Sequence, residues 1–344
     1  MKRVAVVILN WNGENLLKQF LPGVIEHSTH SEFGVDVIVA DNNSTDNSVQ
    51  WLTENYPNIR VVVLNKNYGF AGGYNQALKQ IKAEYFVLLN SDVSVGKNWL
   101  EPLIGFMEQT PEAAACMPKI IDYKNPEKFE YAGAAGGFLD FLGYPFCRGR
   151  ILNIIEDDNG QYDETKEIFW ATGACMLVRS KEFIKSEGFD EDFFAHMEEI
   201  DLCWRLKRQG HSIWCVPASK VYHVGGATLS KISARKVYYN HRNNLLMLLK
   251  NLSSRSLMPV LFIRLLLDNA SALGYAISGK PNLTWSVFKA HAYFFKRLKK
   301  NLKKRKQQKH PRISLYKSSI LIHYFIKRNR KFSELPDKFN LGQH

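Results

Sequence analysis

Residues 85–92, Tyr-Phe-Val-Leu-Leu-Asn-Ser-Asp, decide the fold of this chain, because an apolar run is followed here by a short polar end that closes with a carboxylate. An uninterrupted run of this kind is typical of a strand that is buried on both faces of a parallel sheet. Such sheets bind their ligands at the carboxyl ends of the strands. We therefore expect Asp92 to lie at the ligand-binding edge of a parallel sheet.

Three earlier runs rich in β-branched residues, 4–9, 35–40 and 60–64, alternate with amphipathic stretches. This alternation predicts βαβ units and an α/β fold. A polar cluster follows each predicted strand, and the carboxyl ends of parallel strands share one edge of the sheet. The clusters are Asn10-Trp11-Asn12, Asp41-Asn42-Asn43, Asn65-Lys66-Asn67 and Asn90-Ser91-Asp92.

The second half of the chain is less regular in pattern. Residues 119–165 are rich in Gly and Tyr and indicate an irregular insertion. A strand is predicted at 168–178 and a helix at 195–209, which Gly210 ends. Another strand, 213–222, leads to His223, and the chain beyond it is helical and basic.

The composition is that of a folded protein, since 45% of the 344 residues are hydrophobic and 23% are charged. Five cysteines without a Cys-x-x-Cys pair predict reduced core thiols and a cytosolic protein. The apolar stretch 258–277 contains Arg264, Asp268 and Asn269, so we predict no membrane-spanning helix. Residues 269–333 hold 17 of the 46 Lys and Arg and no Asp or Glu, so the net charge of +13 belongs to this region.

Two segments predict binding of a nucleotide. Asp41 stands at a strand end, where its carboxylate is able to accept the imide N–H of a uracil or thymine ring; the alternative is a role in capping the following turn. Residues 67–75 form a glycine-rich turn into a helix, which is able to present backbone N–H groups to a phosphate. Their spacing fits neither G-x-G-x-x-G nor a P-loop, so this segment is weak evidence alone.

Acidic and imidazole side chains predict a metal site and a general base. Asp92 suits a divalent cation, since Mg²⁺ and Mn²⁺ prefer oxygen ligands and share them with diphosphates; the alternative is a helix cap. His223 is either a metal ligand or a structural histidine. Glu198, Glu199 and Asp201 begin a predicted helix, where the dipole alone favours acids. They follow an apolar run, however, and burial would raise a carboxylate pKa toward that of a general base.

Taken in order, these segments resemble the pattern of family 2 glycosyltransferases across residues 4–228, and most closely that of bacterial rhamnosyltransferase-like members that build cell-surface polysaccharide. The matching segments are VILNWN at 7–12, VADNNSTD at 39–46, NYGFAGGYN at 67–75, LNSD at 89–92, TGA at 172–174 and EEIDLCWR at 198–205. The resemblance implies the GT-A nucleotide-diphospho-sugar transferase fold, a mostly parallel sheet flanked by helices. It also implies inverting transfer of a sugar from a nucleoside diphosphate sugar to a hydroxyl group.

The resemblance further implies roles for individual residues. Asp41 would bind the nucleobase of a UDP- or dTDP-sugar such as dTDP-rhamnose, and Asp92 with His223 would hold Mg²⁺ or Mn²⁺. Glu199 would deprotonate the acceptor, with Glu198 beside it and Asp201 as a substitute base. Further contacts to the nucleotide sugar would come from Asn10, Asn12, Asn67, Gly72, Asn75, Ser91 and Gly173.

The chain departs from the family pattern at two places. Asn90-Ser91-Asp92 keeps only the final acid of a two-aspartate metal motif, which predicts a modest metal affinity. Glu199 stands where an aspartate is usual, which keeps the carboxylate on a longer side chain.

We expect a catalytic domain at 1–228 and a basic helical region at 229–344, which lies outside the resemblance. The basic charge predicts peripheral attachment to an anionic membrane on its cytoplasmic face, near a glycan or lipid-linked acceptor, and no nucleic acid is expected as a partner. The alternative for this region is a solvated tail, and for the whole chain a non-catalytic carbohydrate-binding or scaffolding subunit. A sugar-1-phosphate nucleotidyltransferase is disfavoured, because residues 10–13 supply no Gly- and Arg-rich loop.

Overall fold

The computed structural model describes residues 3–29, 33–225, 233–306 and 313–337. Most of its strands form one central sheet, and a few form a smaller one. The strands are β1 Val4–Asn10, β2 Val35–Asp41, β3 Arg60–Val63, β4 Tyr85–Asn90, β5 Val93–Val95, β6 Ala113–Asp122, β7 Gly137–Leu139, β8 Pro145–Cys147, β9 Arg150–Ile151, β10 Ile154–Ile155, β11 Lys166–Ile168, β12 Cys175–Arg179 and β13 Ser212–His223.

The central sheet has the order β11-β13-β6-β12-β4-β1-β2-β3, with β5 paired to β13. Strands β1 to β4 run parallel, as predicted, whereas β12 is antiparallel to β4 and β6. The register places Asn10 beside Asp41 and Leu9 beside Asn90. The polar clusters that follow β1, β2 and β4 therefore lie along one edge of the sheet, as the sequence predicted.

Helices alternate with the strands of the central sheet and form most of the C-terminal part of the chain that the structure describes. They are α1 Glu14–Thr29, α2 Ser48–Asn55, α3 Gly69–Leu78, α4 Glu101–Gln109, α5 Ser180–Lys185, α6 Glu198–Arg208, α7 Ala234–Asn251, α8 Ser254–Ile277, α9 Pro281–Lys296 and α10 Leu298–Lys306. Strand β4 is buried over residues 85–89, which explains its continuous apolar sequence. The five cysteines are free and buried, as predicted for core thiols.

Two sequence-based predictions for the middle of the chain were wrong in part. Residues 119–165 are only partly irregular, because β6 continues to Asp122 and the short strands β7 to β10 form a separate antiparallel sheet in the order β10-β9-β8-β7. The single strand expected at 168–178 is two strands, β11 and β12, which pair with different partners in the central sheet. Trp170 interrupts the run, since its indole N–H donates to Phe138 O at 3.0 Å and anchors the chain to β7.

The C-terminal helices pack into the same hydrophobic core as the central sheet. Helix α7 contacts α6, α8, α9 and α10, and Leu245 to Leu249 are buried together with sheet residues. The boundary expected between residues 228 and 229 lies outside the described residues, so the two-domain division stays a prediction. The contacts of α7 nevertheless tie the two regions together.

Helix α8 is long and apolar enough to cross a membrane, judged by length and composition alone, and it is the one such helix in the described part of the chain. The prediction of no membrane span was based on its internal polar residues. The structure buries Arg264 and Asp268, and Arg264 Nη1 donates to Leu142 O at 3.1 Å. Asp268 pairs with His241 at 3.1 Å and with His291 at 3.4 Å.

Candidate active site

Asp41 is buried at the end of β2 and holds the neighbouring loop in place. Its Oδ1 accepts hydrogen bonds from Asn10 Nδ2 at 3.0 Å and Ser44 Oγ at 2.6 Å, and its Oδ2 accepts from Ser44 N at 2.9 Å. Asp41 therefore caps the turn that follows β2, which was the alternative to binding a nucleobase. A carboxylate has about four lone-pair sites, so Oδ2 keeps capacity for one further donor, such as an imide N–H.

Asn10 carries an acceptor that lacks a partner. Its Oδ1 is buried and makes no hydrogen bond to any described residue. A Cβ at Gly13 would lie 2.4 Å from this oxygen and 3.7 Å from Ser91 Oγ, so the glycine keeps the space above Asn10 open. Buried acceptors are rarely left unpaired in folded proteins. Asn10 is thus suited to accept a hydroxyl or N–H group from a ligand.

Asn12 braces the loop that follows β2. It has a positive φ of 52°, and its Oδ1 accepts from Thr45 N at 2.7 Å. Its own backbone N–H donates to Ser44 Oγ at 2.9 Å. Asn12 is therefore tied to the same loop as Asp41 and shapes this end of the site.

The predicted contacts Asn67, Gly72 and Asn75 bind other parts of the protein in this structure. Asn67 Oδ1 accepts from Gly69 N at 2.8 Å and caps the start of α3. A Cβ at Gly72 would lie 2.9 Å from the Cβ of Tyr68, so this glycine permits close packing. Asn75 bonds to both backbone groups of Phe189, with its Nδ2 donating at 2.8 Å and its Oδ1 accepting at 2.9 Å. These three residues order the glycine-rich segment and its neighbours.

Three loops of the predicted site meet around Phe70 at the start of α3. The backbone N–H groups of Phe70 and Ala71 donate to Phe194 O at 2.7 and 3.2 Å. A Cβ at Gly173 would lie 3.0 Å from the Phe70 ring. The glycine-rich turn, the Thr172–Ala174 turn and the loop before α6 are therefore in direct contact, as a common site requires.

The structure brings the two predicted metal ligands together. His223 Nε2 lies 3.0 Å from Asp92 Oδ1, and both side chains are buried. Glu130, which the sequence did not single out, lies 3.4 Å from His223 Nδ1. Burial alone would lower the pKa of His223, but its hydrogen bonds to Asp92 and Glu130, with their negative charges, raise the pKa to about 10.

The donors at this place fit a divalent cation. A carboxylate oxygen and a neutral imidazole nitrogen suit Mg²⁺ or Mn²⁺. Because the metal-free pKa of His223 is about 10, a cation would have to displace the proton between His223 Nε2 and Asp92, while Glu130 on Nδ1 would leave Nε2 directed at the metal. No group of three or more His, Cys, Asp and Glu side chains within the described ranges is arranged to hold a metal. A cation here would accordingly take its remaining oxygen ligands from a bound diphosphate and water.

Glu198 and Glu199 are the first two residues of α6, and Glu198 is buried whereas Glu199 is half-buried. Burial raises the pKa of Glu199 to about 7, although backbone N–H groups at the start of the helix act in the opposite direction. The pKa of Glu198 is raised further, first by burial and then by the charge of Glu199. Oε2 of each carboxylate is buried without a hydrogen-bond partner in the described structure. Glu199 therefore has the pKa and the free oxygen that a general base near neutral pH needs.

The small sheet carries a buried thiol whose pKa responds to two acidic residues of this region. Burial raises the pKa of Cys147 on β8, Arg150 acts in the opposite direction, and the charges of Glu130 and Glu199 add to the rise. Residues 119–165, whose strands the sequence did not predict, supply Glu130, which lies 3.4 Å from His223 Nδ1.

Asp201 does not fit the role of a substitute base. Its Oδ1 accepts from Asn251 Nδ2 at 2.7 Å, and its Oδ2 accepts from Arg205 at 2.9 Å and Lys250 at 2.7 Å. Burial alone would raise the pKa of Asp201, but the charges of Lys250 and Arg205 lower it below its usual range. A fully buried carboxylate with this many donors fits a structural role, which favours Glu199 over Asp201 as the candidate base.

The loop before α6 is strained and is held by α7. The helix begins at Glu198 and not at Ala195, because Phe194, His196 and Met197 have positive φ angles of 65°, 71° and 72°. Non-glycine residues in this region cost about 1–3 kcal/mol each unless their surroundings fix them.

The hydrogen-bond donors that hold this loop come from two side chains on α7, Asn243 and Arg242. Asn243 Nδ2 donates to the carbonyls of Phe193, Ala195 and His196 at 3.0, 2.8 and 2.6 Å. Arg242 Nη2 adds a bond to Phe193 O at 2.6 Å. No sequence motif identifies Arg242 and Asn243 as residues that support the site. The one signal in the sequence is that these polar residues lie in a leucine-rich helix, which indicates a buried polar contact.

The sequence of this chain is similar to those of known glycosyltransferases. The sequence profile described as Glycosyl transferase family 2 matches residues 5–184. N-acetylglucosaminyl-diphospho-decaprenol L-rhamnosyltransferase of Mycobacterium tuberculosis (strain ATCC 25618 / H37Rv) is 27% identical over 261 residues, which cover 71% of this chain and 83% of that protein. Rhamnosyltransferase WbbL of Escherichia coli (strain K12) is 24% identical over 227 residues, which cover 64% and 83%.

Solved structures resemble this fold at low sequence identity. GalNAc-T7 with UDP, GalNAc and Mn²⁺ has a TM-score of 0.58 at 15% identity, covering 74% of this chain and 49% of that chain. The 1–349 segment of S. aureus TarS in complex with UDP-GlcNAc has a TM-score of 0.54 at 16% identity, covering 84% and 81%. These similarities confirm the predicted GT-A fold and the predicted likeness to rhamnosyltransferases.

Proposed function

Since the chain belongs to glycosyl transferase family 2, we propose that it moves a sugar from a UDP- or dTDP-sugar, dTDP-rhamnose among them, to a hydroxyl of a glycan or lipid-linked acceptor. The observation that carries this proposal is the pair of sites at one edge of the sheet. Asp41 and Asn10 offer acceptors for a nucleoside, and Asp92 with His223 offers ligands for a cation beside the diphosphate. Rhamnosyltransferases among the relatives support rhamnose as the transferred sugar.

Glu199 would serve as the base in a single displacement. Its carboxylate removes the proton of the acceptor hydroxyl while that oxygen forms a bond to the anomeric carbon. The bond from this carbon to the diphosphate oxygen breaks, and the nucleoside diphosphate leaves with the electron pair. Attack from the face opposite the leaving group inverts the anomeric centre.

Asp92 and His223 would hold Mg²⁺ or Mn²⁺, with Glu130 orienting the imidazole. A cation bound there supplies positive charge that stabilises the departing diphosphate. Asp92 and His223 hydrogen-bond each other at 3.0 Å, so metal binding would replace this contact. The Mn²⁺ in the GalNAc-T7 complex supports the proposed metal dependence.

The acceptor and cellular location are part of the same proposal. A relative whose name specifies a diphospho-decaprenol acceptor supports a lipid-linked substrate for cell-surface polysaccharide. We place the enzyme in the cytoplasm, attached peripherally to the inner face of the membrane through its basic C-terminal region. No nucleic acid is expected as a partner.

Donor turnover by the purified chain tests the proposed function. Release of UDP or dTDP from the matching sugar donors should require Mn²⁺ or Mg²⁺ and should fall by about a hundredfold or more in Glu199→Gln, because general-base catalysis typically contributes that much. Glu127→Gln is the matched control, since Glu127 is exposed. A non-catalytic scaffold would show no metal-dependent turnover, and equal rates for Glu199→Gln and the control would reject Glu199 as the base.

A further inference from the structure

Helix α8 buries two of its three charged side chains, Arg264 and Asp268, and exposes large apolar side chains; the third, Arg255 in its first turn, is exposed. Arg264 and Asp268 are 3% and 1% exposed. The exposed apolar residues are Met258, Phe262, Leu266, Leu273 and Ile277, at 72%, 64%, 56%, 62% and 80%. At 3.6 residues per turn these five side chains fall within an arc of about 100°. A helix on the surface of a soluble protein has the opposite arrangement.

Helix α9, which packs against α8, also exposes large apolar side chains. Trp285, Phe288 and Phe295 are 59%, 43% and 55% exposed on one side of this helix. Together the eight apolar side chains of α8 and α9 form what we call the outer face. Exposed apolar surface on this scale marks an interaction site.

Cations adjoin the outer face, and no acid in this stretch of sequence balances them. An open groove of about 520 Å³ between α7 and α9 is lined in part by Arg235, Lys289 and Lys296. The Lys289 ammonium lies 5.9 Å from the ring centre of Trp285, so a positive charge sits directly beside the apolar side chains. Residues 269–333 contain no Asp or Glu. This combination of aromatic and cationic side chains complements a layer of anionic lipid headgroups above acyl chains.

We propose that the outer face inserts into the interfacial layer of an anionic membrane, with α8 and α9 lying along the surface and the groove receiving a headgroup phosphate. This deepens the proposed function in one respect, since it would hold the enzyme at the surface that contains a lipid-linked acceptor. The mode of attachment differs from the one expected from sequence, because exposed apolar side chains that insert into the membrane, and not the basic charge alone, would anchor the protein.

Two other occupants of the outer face fit the structure less well. A second copy of the chain would bring two sets of Lys289 and Lys296 together without acids to pair with them. A membrane span by α8 would have to pull Arg264 and Asp268 away from Leu142, His241 and His291. That would expose charged groups to hydrocarbon, which is costly.

Vesicle flotation of the full chain tests the proposal. The protein should float with vesicles of phosphatidylcholine and phosphatidylglycerol and much less with phosphatidylcholine alone. The double variant Phe262→Gln with Leu266→Gln should lower the partition coefficient about tenfold or more, since both side chains leave the bilayer interface. Ile184→Gln, which removes a 66% exposed apolar side chain on α5, is the matched control and should float like the unmodified chain. Lys289→Gln with Lys296→Gln should reduce the preference for anionic vesicles.

Several results would overturn the proposal. Equal flotation of the double variant and the control would remove the outer face from membrane binding. Resistance of the bound protein to extraction at alkaline pH would indicate a span, and a dimer that the double variant dissociates would assign the face to a second copy. Transfer to a soluble acceptor without vesicles is measured in parallel and should be the same in both variants. Absence of transfer would refute the proposed function alone, whereas absence of flotation would refute the membrane proposal alone.

Discussion

Replacing Asn243, a residue of the C-terminal region, by alanine should impair catalysis, because this side chain holds the strained loop that precedes Glu199, the proposed base. The substitution removes the donor for three carbonyls, of which only Phe193 O keeps a second donor in Arg242. The carbonyls of Ala195 and His196 would lose their bonds to Asn243. An unsatisfied buried polar group costs about 1–3 kcal/mol. Both of these bonds are part-buried, so water can compensate in part, and the free energy of unfolding should fall by about 1–3 kcal/mol in total unless the loop relaxes.

We expect the variant to lose activity because the loop would relax. Phe194, His196 and Met197 would move toward ordinary φ values and shift Glu199, which begins the next helix. A displacement of about 1 Å at a reacting group can lower the rate about a hundredfold. We expect kcat of Asn243→Ala to fall by roughly that factor while the affinity for the nucleotide sugar changes little.

Asn244→Ala provides the matched control. Asn244 is the next residue on α7, is equally buried, and donates to Gly143 O at 2.7 Å in a different loop. Chemical denaturation would measure stability, and donor turnover would measure kcat at a temperature where both variants are folded. Both substitutions should destabilise the protein, but only Asn243→Ala should lower kcat. Equal kcat values for the two variants would refute the positioning role.

Three further predictions concern the predicted site. With a Glu199 pKa of about 7, kcat/KM should fall as pH decreases below 7, because the protonated carboxyl cannot accept the acceptor proton. The raised pKa also destabilises the ionised folded state, so stability should decline from pH 4.5 to 7 and Glu199→Gln should flatten that decline in denaturant titrations. Asp92→Asn should weaken Mn²⁺-dependent nucleotide binding, measured by calorimetry, with little loss of metal-independent binding. Asp201→Asn should cost about 3 kcal/mol or more of stability, because Lys250 and Arg205 lose a buried counter-charge, yet it should leave the pH profile of turnover unchanged.

The sequence predicted those parts of the site that depend on strand ends. Asn10, Asp41 and Asn90 lie at one edge because parallel strands align their carboxyl ends, and a periodic apolar pattern is enough to locate such ends. The contact between Asp92 and His223 depends on a strand that the apolar pattern did not predict, since Val93 on β5 pairs with His223 on β13. Only the family resemblance brought these two residues together.

Other parts of the site could not be predicted, because they depend on contacts between distant segments. Glu130 reaches His223 from a segment whose glycines and aromatics give no clear period. Asn243 bonds to carbonyls 47 to 50 residues earlier, and no local signal specifies that distance. Positive φ at Phe194, His196 and Met197 goes against residue preferences, so the sequence predicted a helix where the structure has a strained loop. The partners of Asp201 could not be predicted for the same reason, since Lys250 and Asn251 come from α7.

Calorimetric titration of the full chain with UDP and dTDP, each with and without Mn²⁺, tests the central claim most directly. A nucleotide-sugar transferase with the site described above should bind one of these diphosphates only weakly without Mn²⁺ and much more tightly with it, and Asp92→Asn should abolish the difference. Equal affinity with and without Mn²⁺, or no binding of either diphosphate, would contradict the assignment of Asp92 and His223 to a metal–diphosphate site.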